Sequence, residues 1–144
     1  MNDPKTRRVL EAAGWHSGRT VDLAAWTAEL VADGFPPVHT AARRFLGEYG
    51  GLAVHDSGPG VTSARDPFSL DPTRCLGEAD RFREWSASAA RDIAPIGDLD
   101  GGRYWLGIDE RAEIYLVETW LASFGRMPRA LDHLVLGYMP TDLP

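Results

Sequence analysis

The sequence predicts an α+β fold, and three observations carry the prediction. Apolar residues recur at helical spacing in three separate stretches before residue 50. Between Ile93 and Val117 the spacing switches to alternation around tight turns, and a final helical stripe, Ala130, Leu131, Leu134 and Val135, follows. Helices and strands are thus grouped in blocks, which separates an α+β domain from an alternating α/β one. The arrangement expected is a central, mostly antiparallel sheet. N-terminal helices, one inserted helix and a C-terminal helix pack on it.

Taken in order, Asp3-Pro4 is a helix start, with Val9, Leu10 and Ala13 as a short stripe that Gly14 ends. AGWHSGRTVD is a compact turn. A second helix runs from Leu23 to Asp33, capped by Asp22, with Leu23, Trp26, Leu30 and Val31 inward and Gly34 closing it. The stretch Ala41–Val54 organises the chain. Val38, Ala42, Phe45, Leu46 and Tyr49 share one stripe with Ala41. Gly50 sits where a left-handed C-cap belongs, Gly51 allows a sharp turn, and Leu52-Ala53-Val54 reads as a strand.

HDSGPGVTSARDP is a polar surface loop or loose hairpin. Phe68-Ser69-Leu70 reads as a strand, and Asp71-Pro72 caps a helix over Thr73 to Ala90 with Leu76, Ala79, Phe82 and Trp85 inward. IAPIG, RYWLGI and AEIYLV are strands, with Asp109-Glu110-Arg111 turning between the last two. Trp105 alternates with Tyr104, Leu106 and Ile108. Thr119–Phe124 fits a further strand or the approach to a helix, Pro128 opens the last helix, Gly137 stops it, and the tail YMPTDLP reads as loose.

A chain of 144 residues is one domain, 1–144, with enough residues to bury a core unaided. The single cysteine, Cys75, excludes an internal disulfide and fits a reducing compartment. The N-terminus has no apolar signal core, and no run approaches the roughly 20 residues of a membrane span. The expectation is a soluble cytoplasmic protein. The net charge of −6 is unevenly placed: residues 66–118 hold twelve acidic and six basic residues, and the remainder nine of each. An acidic surface repels phosphate backbones and attracts basic partners.

No catalytic constellation emerges. His16, His39, His55 and His133 lack metal-ligand spacing, and Cys75 stands alone. Asp80 and Glu84 at i, i+4 beside Arg81 and Arg83 fit a solvated helix face. Asp109, Glu110 and Glu113 cluster at a turn, where a carboxyl is not pushed into the apolar site that acid–base work needs. There is no phosphate-binding glycine loop, and the basic segments RRVLEAAGW and ARRF are too short for a nucleic-acid surface. No metal, cofactor, nucleic acid or membrane is expected.

AGWHSGR, FLGEYGGL, FSLDP, APIG, LGIDERAEIYLV and ALDHLVLG occur in this order from Val9 to Gly137. Together they resemble the SUKH superfamily, and specifically its third immunity-protein family. The resemblance implies helices packed on a central sheet and a non-enzymatic role in bacterial polymorphic toxin systems: binding a cognate toxin domain, often a nuclease or nucleic-acid deaminase. It also implies that Gly14, Trp15, Arg19, Phe45, Leu46, Gly50, Gly51, Pro95, Gly97, Asp109 and Tyr115 are fold determinants. One departure stands out: Ala112 occupies a turn position where that family often has Gly, so a wider turn is expected. The wider superfamily includes regulatory proteins, so a scaffold module is the alternative, and a small hydrolase using Cys75 or a carboxylate is a third. The local acidic excess nominates Asp98, Asp100, Trp105, Asp109, Glu110 and Glu113 as a toxin-binding face, meeting a basic partner.

Overall fold

Helix α1 (Pro4–Ala12) starts at the predicted place. Asp3 is its N-cap, its carboxylate accepting from Lys5 N at 2.8 Å, and Pro4 needs no hydrogen bond there. The computed structural model describes residues 3–143; the one-domain expectation extends to residues 1, 2 and 144, which lie outside the described residues. Helix α2 (Ala24–Asp33) is held at its start by Asp22 Oδ1, which accepts from Ala24 N at 2.9 Å, and ends at left-handed Gly34. Leu30 is buried, but Val31, expected beside it, is 50% exposed. Neighbouring helical residues point about 100° apart, so a helix docked along a narrow strip buries one of the two.

Helix α3 (Thr40–Tyr49) buries Ala42, Phe45, Leu46 and Tyr49, with Val38 buried just ahead of it. Its N-cap is His39, whose Nδ1 accepts from Ala42 N at 3.1 Å. The ring proton therefore sits on Nε2, which donates to Ile108 O at 3.1 Å and ties the helix start to the sheet. The end of α3 differs from the expected left-handed cap. Gly50 has φ −58° and ψ 141°, and the left-handed residue is Gly51 at φ +83°. Gly50 is needed for space: a Cβ there would meet Leu46 O and stand 2.7 Å from Trp26 Cζ3.

The sheet has seven strands in sequence order, each antiparallel to the next: β1 (Ala53–Val54), β2 (Phe68–Ser69), β3 (Ala94–Leu99), β4 (Tyr104–Ile108), β5 (Glu113–Val117), β6 (Leu121–Arg126) and β7 (Thr141–Asp142). The polar loop before β2 is a loose hairpin pinned by a Gly58–Arg65 bridge. Leu121–Arg126 resolves the Thr119–Phe124 ambiguity as a strand. The tail is not loose throughout, because Thr141 and Asp142 pair with Ser123 and Ala122 of β6. Local sequence could not announce that pairing, since the exposed β6 edge supplies its hydrogen bonds.

The expected Thr73 to Ala90 helix is two pieces. Pro72–Cys75 is a 3-10 turn capped by Asp71, and α4 (Ala79–Ala89) follows a break at Gly77, which has φ +91°. Leu76 falls in that break and is 42% exposed rather than inward. Helix α5 (Arg129–Leu136) closes the chain and ends at left-handed Gly137.

Strand alternation sends helices to both faces of the sheet. Leu106, Ile108 and Leu116 face α3 and α5, where Ile108 shares a groove with Phe45 and Leu116 another with Leu134. Trp105, Gly107, Tyr115 and Val117 are in register on the face that α4 covers. A Cβ on Gly107 would stand 2.6 Å from Ile93 Cγ2 and 3.1 Å from Phe82 Cε2. On Gly97 a Cβ would run into the Ser69 carbonyl oxygen.

The β4–β5 turn closes tightly rather than widening. Ala112 N donates to Asp109 O at 3.0 Å, Asp109 N donates to Glu113 O at 2.9 Å, and Ala112 itself takes φ +62°. A residue with a Cβ is strained there by about 1 kcal/mol. Ala112→Gly should therefore stabilise the domain by about 0.5–1 kcal/mol, read as a higher denaturant midpoint at unchanged slope. Gly97→Ala should cost roughly 3 kcal/mol in the same measurement, because the overlap is with backbone that cannot move aside.

Candidate functional site

The six nominated residues do not share one surface. Successive turns of an antiparallel meander lie at opposite ends of the sheet. Asp98, Asp100 and Trp105 sit at the β3–β4 end, whereas Asp109, Glu110 and Glu113 sit at the β4–β5 end. Asp98 lies directly across from Trp105 and is buried. Burial pushes its carboxyl above the ordinary range, with Arg74 pulling down and Asp71 pushing up. Asp100, at φ +55° in its turn, pairs with Arg103 at 3.3 Å. Glu110 accepts from Asp92 N at 2.9 Å, and Glu113 accepts from the Ser123 hydroxyl at 2.6 Å.

Asp109 is a correction. It is 0% exposed, so it cannot meet a partner. Its Oδ1 accepts from Arg111 N at 2.8 Å and Glu113 N at 3.0 Å, its Oδ2 accepts from the Tyr115 hydroxyl at 2.8 Å, and Arg91 Nε stands 3.7 Å away. A buried carboxylate with this many donors holds a turn together. Tyr115 answers to the same network. Burial pushes its hydroxyl well above the ordinary value, and the hydrogen bond to Asp109 and that residue's charge push it further.

The acids that do gather lie along α4. A groove of 590 Å³ opens between this helix and the β5–β6 turn, lined by Glu78, Asp80, Glu84, Glu118, Arg81 and Trp85 among others. Four carboxylates thus surround one guanidinium. Arg81 donates to Glu78 Oε1 at 2.9 Å and to Glu118 Oε1 at 3.0 Å, and lies 5.0 Å over the Trp105 ring. Trp105 is therefore half-buried beneath the groove. Trp85 Nε1 donates to Glu118 O at 2.8 Å and fixes the turn to the helix.

Two residues on, Trp120 is 42% exposed, edge-on to Tyr104 with ring centres 5.7 Å apart. It faces a second groove, of 240 Å³, that also holds Asp66, Met139 and Asp142. Burial and the nearby Asp100 push the Asp66 carboxyl up. Sequence reading missed Trp120 and the α4 acids as a site. The available signal was that Trp120, unlike Trp26, Trp85 and Trp105, fitted no helical stripe or strand alternation. The far end of the sheet is biased the other way, with Arg44, Arg111 and Arg126 lining a groove beside Glu48 and Glu110.

Cys75 is buried, its thiol donating to Gly97 O at 3.2 Å. Burial pushes that thiol far up, against the smaller pull of its hydrogen bond to Gly97 O, so it carries no thiolate character. Among the described residues no group of three or more His, Cys, Asp or Glu side chains is placed to hold a metal ion. Nor is any described helix long and apolar enough to cross a membrane.

Fold and surface together define an α+β domain with helices on both faces of an antiparallel sheet and an acid-lined groove beside one of them. The model of the SUKH-3 immunity protein family matches residues 2–137, and the chain belongs to that family. No curated protein and no solved structure matches it.

Asp109→Asn should cost about 2–4 kcal/mol, since it weakens three hydrogen bonds and leaves Arg91 beside a neutral group. The raised Tyr115 hydroxyl gives stability that is complete below the unfolded value near 10 and is lost as pH rises above it. Tyr115→Phe should lower stability at neutral pH and flatten its decline above about pH 10. Denaturant titrations across pH measure both.

Proposed function

We propose that the chain acts as one immunity domain that neutralises a bacterial toxin by covering its substrate cleft with the acid-lined side of α4 and the Trp120 turn. The reading rests on family membership. The observation that carries the mechanism is the groove in which Glu78, Asp80, Glu84 and Glu118 outnumber Arg81. A toxin acting on nucleic acid, a nuclease or a deaminase, must present a basic cleft to a polyanion. Clustered carboxylates steer such a cleft into register and raise the association rate. Rim charge contributes little to residence time, so an aromatic anchor is required, and exposed Trp120 stands beside the acidic groove, two residues from Glu118. The arginines at the opposite end of the sheet make the domain polar along its length and orient the approach.

On this reading the protein works by occlusion in the cytoplasm of the producing or a sibling cell, without a cofactor and without turnover. Membership of an immunity family supports binding over catalysis.

The test begins with the polypeptide that co-purifies with the protein from its own host. Against that toxin domain, Asp80→Lys with Glu84→Lys should lower the association rate by about tenfold at low salt and flatten its salt dependence. Trp120→Ala should instead speed dissociation by about thirtyfold, corresponding to roughly 2 kcal/mol. Both variants should also fail to protect cells expressing the toxin. Wild-type kinetics and full protection by both would remove this face.

A further inference from the structure

The acidic groove occupies one flank of α4, and the opposite flank carries a different kind of recess. It measures 370 Å³ and lies between α4, the Phe35-Pro36-Pro37 connector and the start of β3. Its lining is mainly apolar: Phe35, Phe82, Ile93 and Ala94 are buried, with Pro36 and Pro37 on the exposed rim. Phe35 and Phe82 meet edge-on, ring centres 5.5 Å apart, which fixes the floor. Arg83 marks the rim, bonded to Asp80 Oδ1 at 2.7 Å and reaching Gly34 O at 3.4 Å.

Helical geometry fixes how the two recesses relate. At about 100° per residue, Ala79, Arg83 and Ser86 fall on one side of α4, and Arg81, Glu84 and Ser88 on the other. Asp80 and Ala87 are exposed on the ridge between them. A partner that reaches only the acidic flank gains steering and little residence time. A partner that crosses the ridge also buries an apolar side chain, the kind of contact that slows dissociation.

We infer that α4 is a saddle which a basic segment of the partner straddles, placing Arg or Lys against Glu84 and Glu118 and an apolar side chain in the recess floored by Phe35 and Phe82. This rests on the acidic-groove reading above and adds the partner's chemistry: cations and one aromatic or aliphatic side chain separated by the width of a helix. That width is about 10 Å, which three extended residues span.

The test uses defined peptides and the intact protein, so no toxin need be known. Isothermal titration at low salt compares acetyl-Phe-Gly-Gly-Gly-Arg-Arg-amide with the same peptide carrying Ala for Phe. The Phe peptide should bind about tenfold tighter. Pro37→Glu, a substitution on the exposed rim, should abolish that advantage while leaving the Ala peptide's affinity within about twofold. Glu84→Lys should weaken both peptides. Equal affinity of the two peptides, with Glu84→Lys still weakening them, overturns the saddle and leaves the acidic groove standing. Indifference of both peptides to Glu84→Lys, or no binding of either, removes the acidic groove as a cation site and the saddle with it.

Discussion

Close backbone approach at two glycines underlies most of what this surface does. At Gly97 the β3 backbone lies against the Ser69 carbonyl, and at Gly107 the β4 backbone lies under Ile93 and the Phe82 ring. A methyl group at either place would lift a neighbouring element off the sheet. With Gly107 bare, α4 settles directly on the Trp105 face, and with Gly97 bare the end of β2 packs tightly against β3. The position of α4 then decides which carboxylates face one another, because Glu78, Asp80 and Glu84 can form a groove with Glu118 only when the helix lies that low. Protein interiors are close-packed, so such a placement is discrete.

The domain uses the same residue type for opposite purposes. Asp109 is wholly interior, filled by two backbone amides and the Tyr115 hydroxyl, and it locks a turn in which Ala112 is held left-handed. Asp80, with a side chain 87% exposed, pairs at 2.7 Å with surface-lying Arg83 and holds no buried turn. The acidic balance of residues 66–118 is therefore a mixture. Part belongs to the interior and to turns, and part lies along α4 where another molecule can meet it. Arg81 sits between the two groups, pinned by Glu78 and Glu118 over Trp105, and keeps clustered carboxylates from repelling one another while leaving the groove negative.

What could be read from the chain follows the range of the interaction responsible. Asp3 and Asp71 cap where expected because a cap is settled within three residues, and Asp22 holds the start of α2 for the same reason. The α3 stripe held because five apolar residues on one face leave a helix a single way to dock. Gly51 rather than Gly50 took the left-handed turn, and Gly50 is required for a reason that spacing does not show: a Cβ there would meet Leu46 O and Trp26 of another helix. Likewise Leu76 and Val31 came out exposed because a stripe says which side is apolar, not how much of it a neighbour covers.

The sequence alone determined the α+β class, the family resemblance, most element starts and the acidic bias of the middle segment, all properties of local spacing and composition. Only the tertiary structure decided that Asp109 lies inside, that Trp105 is roofed by Arg81, that the tail adds a seventh strand, and that the surface acids meet along α4 rather than along β4. Those outcomes depend on which segments distant in the chain lie against one another, and on which end of an antiparallel strand each turn falls. Neither is encoded in the spacing of neighbouring residues.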